Sequence, residues 1–124
     1  MSTTTALTRG FDFVIIQTRD MHKLRAFYES LLGLKASTEY QDFYVEYELP
    51  DGNTFAIGRD PGATEFMPTG GIVFGVNDAE ALGKRVTELG GTYVKRFGSG
   101  EPGACFSEWC LDPDGNVFGL HQRT

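Results

Sequence analysis

A short pattern occurs twice in the chain, as Pro50-Asp51-Gly52-Asn53 and as Pro113-Asp114-Gly115-Asn116, each time followed by strand-like sequence. Asp-Gly in a tight turn supplies a residue that tolerates positive φ, and such a turn between apolar runs is a strong short-range signal of a β-hairpin. We therefore predict two hairpins that end two copies of one module. The chain is then a tandem duplication.

Each turn lies within the last hairpin of a segment that reads as one strand, one helix and three further strands. Residues 11–18 are rich in β-branched and aromatic side chains, which is typical of a strand. Asp20 can cap the helix that follows, and apolar residues at helical spacing continue until Gly33 ends it. The other predicted strands of this half are residues 35–39, 43–48 and 54–58.

The same order returns after a linker at residues 59–70 that is rich in proline and glycine. Asp78 caps the predicted second helix, and the predicted strands are residues 71–76, 92–97, 104–111 and 116–122. The sequence thus predicts an α+β fold of two tandem βαβββ modules, residues 11–58 and 71–122, in a single domain of residues 1–124.

The second module is the longer one, because the turn glycines are 63 residues apart and the helix caps 58. The five additional residues fall in the Gly-rich stretch 98–103. We interpret that stretch either as a lid over a site or as an ordinary solvated loop.

Alternate residues of a strand point to opposite faces of a sheet, so one face meets the helices and the other meets something else. Large apolar residues such as Ile16 and Phe118 define the predicted helix face. The opposite face mixes glycine with polar and aromatic residues, which is typical of a cavity. In this register Glu46 and Trp109 occupy equivalent positions, four residues before the turn prolines, while Glu108 falls on the helix face without an evident reason.

Side chains on the predicted cavity face are the candidate ligand contacts: Phe13, Gln17, Tyr44, Glu46, Ser107 and Trp109. Trp109 can stack on a planar ligand or face a cation, with Phe13 and Tyr44 as a second wall, or it can be a core or interface aromatic. Glu46 can anchor a ligand cation or act as a general base with His121 as its acid/base partner, or both can be solvated. Gln17 and Ser107 can orient a ligand through hydrogen bonds.

Composition excludes several classes of partner. A net charge of −6 without a Lys/Arg cluster argues against nucleic acid and anionic membranes. No apolar run is long enough to span a bilayer, and the Thr-rich start lacks a signal-peptide core, so we expect a cytoplasmic protein. Cys105 and Cys110 are five apart on one predicted strand, which puts them on opposite faces as free thiols.

Three stretches carry a resemblance to a known family. The segment from Phe13 to Asp20, the helix end Phe27-Tyr28-Glu29-Ser30-Leu31-Leu32-Gly33-Leu34 and the motif Asp112-Pro113-Asp114-Gly115-Asn116 resemble the glyoxalase / bleomycin-resistance / dioxygenase superfamily, also called vicinal oxygen chelate proteins. The resemblance extends over residues 11–122. It implies paired βαβββ modules whose mixed sheets curve into a cup around a ligand, with helices on the outer face.

Enzymes of this family usually hold a divalent metal with His and Glu side chains from the first and last strand of each module. The corresponding positions in this sequence are Phe13, Ala56, Gly71 and Gly119, and none of these side chains can ligate a metal. The resemblance therefore implies a branch without metal or cofactor.

The function we expect is a metal-independent protein of the bleomycin-resistance type, a homodimer that sequesters a planar aromatic or cationic small molecule such as an antibiotic. One alternative is a metal-independent lyase, isomerase or cyclase that uses Glu46 and His121. Another is an accessory module whose cup is filled by a partner protein.

Overall fold

The computed structural model describes residues 6–99, 101 and 104–123. Within these residues the elements follow in the order β1 (Val14–Gln17), α1 (Met21–Leu32), β2 (Thr38–Tyr40), β3 (Tyr44–Glu48), β4 (Thr54–Gly58), β5 (Ile72–Gly75), α2 (Ala79–Glu88), β6 (Thr92–Phe97), β7 (Phe106–Leu111) and β8 (Val117–Gln122). The predicted α+β fold of two βαβββ modules is confirmed. Neither helix has the length and apolar character needed to cross a membrane in this described part of the chain.

Each module forms its own four-stranded mixed sheet, in the orders β1-β4-β3-β2 and β5-β8-β7-β6. The first strand of each module lies at one edge and runs parallel to the last strand, whereas the other neighbours are antiparallel. Among the described residues no strand pairing joins the two sheets. The outer edges of β1 and β5 are therefore open.

Both helices begin and end as the residue pattern predicts. The Asp20 carboxylate accepts a hydrogen bond from the Lys23 amide, and Gly33 ends α1 in the left-handed conformation at φ 67°. In the second module the Asp78 carboxylate accepts from the Ala81 amide, and Gly90 follows the helix at φ 101°. The caps set both helices at the same place in their modules.

The helix faces of the two sheets share a single core. The ring of Phe55 from β4 meets the ring of Phe74 from β5 edge-to-face, with centroids 5.2 Å apart. Tyr28 of α1 packs against both of these rings and also contacts Phe118 of β8. Since side chains alternate along a strand, the other faces of the two sheets point away from each other.

Several strands are shorter than predicted. β1 begins at Val14 because its partner β4 pairs only from Phe55 onwards, and Phe11 is exposed. The strand predicted at residues 35–39 lies at Thr38–Tyr40 instead. Its pairing with β3 starts at Thr38, and the turn after Tyr40, with Gln41 at φ 51°, sets that register.

The burial of Glu108 on the helix face has a clear physical reason. Arg96 donates two hydrogen bonds to its carboxylate, at 3.0 and 3.1 Å, and the Tyr93 hydroxyl donates a third at 3.0 Å. Gly83 of α2 leaves room for the side chain. A buried carboxylate with these partners is stabilised in its charged form, and the arginine holds its pKa below the ordinary value.

Three further predictions concern the two cysteines, the loop at residues 98–103 and the Thr-rich start. Both cysteines are free, with Cys105 exposed and Cys110 buried in β7. The predicted lid or loop at 98–103 includes residues 100, 102 and 103, which lie outside the described residues, as do residues 1–5 of the Thr-rich start.

Candidate ligand-binding site

The candidate site residues divide between two sheet faces. Phe13, Gln17, Tyr44 and Glu46 belong to the outer face of the first sheet, which we term the Glu46 face. Ser107, Trp109 and His121 belong to the outer face of the second sheet, the Trp109 face. Each group is brought together within its own sheet. Because the two faces point apart, one chain does not bring Glu46 together with Trp109 or with His121.

On the Glu46 face, the centre is a short hydrogen bond between neighbours on β3. The Tyr44 hydroxyl donates to Glu46 Oε2 at 2.6 Å. Burial and this bond to a carboxylate together raise the pKa of Tyr44 to about 12, so the phenol stays protonated at neutral pH. Phe13 contacts Tyr44 edge-on, with centroids 6.3 Å apart. The arrangement offers a half-exposed carboxylate beside two aromatic rings.

The first sheet continues this surface on both sides of Glu46. Tyr40 and Thr38 of β2 lie opposite Tyr44 and Glu46, so they share the face. On the other side Ile15 packs over Gly58, where a Cβ would lie 2.9 Å from Ile15 Cδ1. The exposed aromatic Tyr40 also belongs to this face, and the sequence prediction missed it because the strand predicted there ended at residue 39.

On the Trp109 face, the indole ring lies flat against a glycine of the next strand. Trp109 pairs with Gly119, and a Cβ on Gly119 would lie only 3.3 Å from indole atoms Cη2 and Cζ3. The six-membered ring therefore covers the β8 backbone while the other side of the indole is part-exposed. Ser107 and His121 form the next row, opposite Gly75 of β5.

Two further residues of the Trp109 face were not predicted. Lys95 of β6 pairs with Trp109, and Phe97 pairs with Ser107. The pairing of β6 shifts between Tyr93 and Lys95, so a simple alternation counted along this strand fails at that point. Phe97 and Lys95 are visible in the sequence as an aromatic and a cationic residue of a predicted strand. Their assignment to the Trp109 face depends on this irregularity.

The positions that ligate metal in the family do not fit a metal here. Phe13, Ala56, Gly71 and Gly119 offer hydrocarbon or hydrogen only, and the Trp109 indole covers the position at Gly119. Within the described ranges no group of three or more His, Cys, Asp or Glu side chains is arranged to hold an ion. No catalytic step through a metal can be derived from these residues.

A separate apolar groove of about 890 Å³ lies between the open edges of β1 and β5. Its walls include Val14 and Phe13 from the first module, Ile72 and Val73 from the second, and Leu32 at the end of α1. Val14 belongs to the helix side of β1, like Ile16, yet it is 40% exposed because it faces this groove. Apart from Phe13, the predicted ligand contacts lie elsewhere.

Comparison with known proteins places the chain in a structural context. The family model described as Glyoxalase/Bleomycin resistance protein/Dioxygenase superfamily matches residues 10–120. Among the curated proteins, no sequence matches this chain.

Solved structures of similar fold cover almost the whole chain. A glyoxalase/bleomycin resistance protein from Albidiferax ferrireducens T118 has a TM-score of 0.73 at 20% identity, covering 92% of this chain and 98% of that one. Lactoylglutathione lyase from Agrobacterium tumefaciens has a TM-score of 0.69 at 14% identity over 94% and 96%. Fosfomycin resistance protein FosX from Mesorhizobium loti has a TM-score of 0.66 at 19% identity, with 95% of each chain covered. At these identities the likeness shows the fold alone.

Proposed function

Since the chain belongs to the Glyoxalase/Bleomycin resistance protein/Dioxygenase superfamily, we propose that it is a metal-independent binding protein that sequesters a planar aromatic small molecule such as an antibiotic. The observation that carries this proposal is the indole of Trp109 resting on Gly119. Where a metal enzyme of the family would place a ligating side chain, this protein presents a flat aromatic surface. Stacking on such a ring stabilises a bound planar ligand by about 1–2 kcal/mol when the contact is desolvated.

The binding site is shared between two copies of the chain. Tyr44 and Glu46 supply one wall and Trp109 and Ser107 supply the other, but these walls point apart within one protomer. A homodimer in which the Glu46 face of one protomer meets the Trp109 face of its partner brings the walls together. Open strand edges are ready sites for pairing with another chain, and the edges of β1 and β5 border the apolar groove.

This arrangement also bears on the cationic ligand expected from the sequence. Glu46 keeps one carboxylate oxygen, Oε1, beyond its hydrogen bond with Tyr44. That oxygen can pair with a positively charged substituent of a ligand stacked on the opposite wall. Glu46 then fixes the orientation of the ligand, while the aromatic rings supply most of the contact area.

A lyase or isomerase that uses Glu46 and His121 remains the second candidate. The 2.6 Å bond from Tyr44 to Glu46 favours it, since a catalytic carboxylate needs a partner that holds its orientation. This chemistry also needs the dimer, because His121 lies on the other face. Replacing Glu46 with Gln separates the candidates: an enzyme loses turnover while its substrate still binds, whereas a binding protein has no turnover to lose.

The test of the proposal uses a panel of planar aromatic drugs and measures binding by calorimetry before and after dialysis against EDTA. We expect affinity to be unchanged by EDTA. Replacing Trp109 with Ala should weaken binding by roughly 5- to 30-fold, while replacing it with Phe should restore part of the loss. Binding that disappears with EDTA, or that is indifferent to Trp109→Ala, would contradict the proposal.

A further inference from the structure

Lys95 is held beside Trp109 by the geometry of β6. The two residues pair directly across the antiparallel strands, so their side chains leave the sheet on the same face. Tyr93 and Arg96 instead donate hydrogen bonds to Glu108 on the helix face. In a regular strand, residues three apart would lie on opposite faces of the sheet. The irregularity between Tyr93 and Lys95 makes both placements possible.

The charge of Lys95 has no partner in the described part of the chain. The neighbouring cation, Arg96, forms ion pairs with Glu108 and Glu80, but Lys95 forms none among the described residues. Glu108 is the only carboxylate in the four strands of this sheet, and it is buried on the opposite face. In a protein with a net charge of −6, the Trp109 face of one protomer thus carries a cation with no ion-pair partner among the described residues, next to an aromatic ring.

The position of the Trp109 indole leaves space for the Lys95 ammonium group to contact a ligand. The indole leans towards Gly119 on β8, away from β6. Lys95 therefore stands at the free margin of the aromatic surface, and the Ser107 hydroxyl lies one row further along β7. By contrast, the Glu46 carboxylate on the other face already accepts a hydrogen bond from Tyr44.

We infer that the ligand stacked on Trp109 carries an anionic group, of the carboxylate class, which Lys95 binds at the margin of the indole. Lys95 is then a specificity-determining residue of the proposed binding site, and this inference rests on the proposed function. A charge-assisted hydrogen bond beside a desolvated ring discriminates an aromatic acid from its neutral analogue by about 10-fold or more. If the ligand also carries an amine, its ammonium group forms an ion pair with the Glu46 carboxylate on the opposite wall.

The experiment measures, by isothermal titration calorimetry, the binding of three probes with one ring system: 2-naphthoate, 2-naphthylmethanol and 2-naphthylmethylammonium. The full chain should bind naphthoate at least about 10-fold more tightly than the alcohol at low salt. Replacing Lys95 with Met should abolish this preference, and Lys95→Arg should keep it. Lys84→Met is the matched control, because it removes an exposed lysine of α2 from the same protein.

The outcomes separate this inference from the proposed function. A preference for naphthoate over the alcohol that survives in Lys95→Met, or equal binding of naphthoate and the alcohol by the unmodified protein, overturns the role of Lys95. Binding of all three probes with equal affinity, lost in Trp109→Ala, leaves the aromatic site intact but also overturns the inference. If no probe binds while a drug of the panel binds with dependence on Trp109, the inference fails and the proposed function stands; if neither probes nor drugs bind, both fail.

Discussion

The Tyr28 hydroxyl donates a hydrogen bond of 2.7 Å to the carboxylate of Asp112, joining the helix of the first module to the turn of the second. Asp112 precedes the second Pro-Asp-Gly-Asn turn, and the equivalent residue before the first turn is Leu49. The Asp112 side chain also accepts from the backbone amides of Asp114 and Asn116. The two turns therefore differ because only the second one contacts the other module through a buried carboxylate.

Replacing Tyr28 with Phe should destabilise the protein by about 1.5–3 kcal/mol. The ring stays in the core, but the buried carboxylate of Asp112 loses its donor from α1. Urea unfolding measures the change. Tyr47→Phe is the control, because its partner Glu29 is part-exposed and retains Arg25, so we expect a smaller loss.

The Glu108 site should make stability depend on pH in a defined direction. Its hydrogen bonds from Arg96 hold the pKa of Glu108 below the ordinary value of 4.5. The stabilisation is therefore fully present above pH 4.5 and is lost as the pH falls through the lower folded-state pKa. Asp112 acts with the opposite sign, because burial raises the pKa of its carboxyl above 3.8.

Comparing wild type with Glu108→Gln isolates the first effect, since Asp112 is common to both. Urea unfolding between pH 6 and pH 3 should show the variant to be less stable at pH 6, with a difference that shrinks below pH 4.5. A constant difference across this range would mean that Glu108 does not titrate as described.

Replacing Gly119 with Ala should move the Trp109 indole. The new Cβ would meet the ring at 3.3 Å, which forces the ring outward or strains it at a cost of about 1 kcal/mol. As Trp109 is the only tryptophan, its fluorescence reports the change directly, and we expect a red shift and weaker binding of planar ligands. Gly62→Ala is the control, because its Cβ would meet only the Asp60 carboxylate at an ordinary 3.5 Å, in the linker outside both sheets, and it should leave both unchanged.

Replacing Val73 with Pro should dissociate the proposed dimer. The Val76 amide donates towards β8, and amides alternate along a strand, so the Val73 amide points to the open side. Proline there removes a donor for the partner but none of the bonds within the chain. Light scattering should report a dimer for wild type and for Val73→Ala, and a monomer for Val73→Pro. A monomeric wild type would refute the shared site.

The turns, the helix starts and the strand alternation were predictable because each is determined by residues that are close together in the sequence. The turns, the caps at Asp20 and Asp78 and the alternation of the strands identified both modules and the equivalence of Glu46 with Trp109. The opposite directions of the two faces were not predictable, since they depend on how Phe55 and Phe74 meet around Tyr28. Contacts of that kind between distant segments leave no periodic signal.

The position of Lys95 was missed for a different reason. One irregular step in β6 reverses the sheet face of every residue beyond it. Only the pairing of β6 with β7 reveals where that step lies. The role of Glu108 was hidden by the same irregularity, because Tyr93 and Arg96 reach it from the two sides of that step.

The outward direction of the two faces has a thermodynamic consequence for the proposed shared site. A molecule held between walls from different protomers favours association, and association in turn raises its affinity by the same factor. A symmetric pair contains two such sites. The apparent affinity for the ligand should then rise with protein concentration, and dilution alone should release the bound ligand.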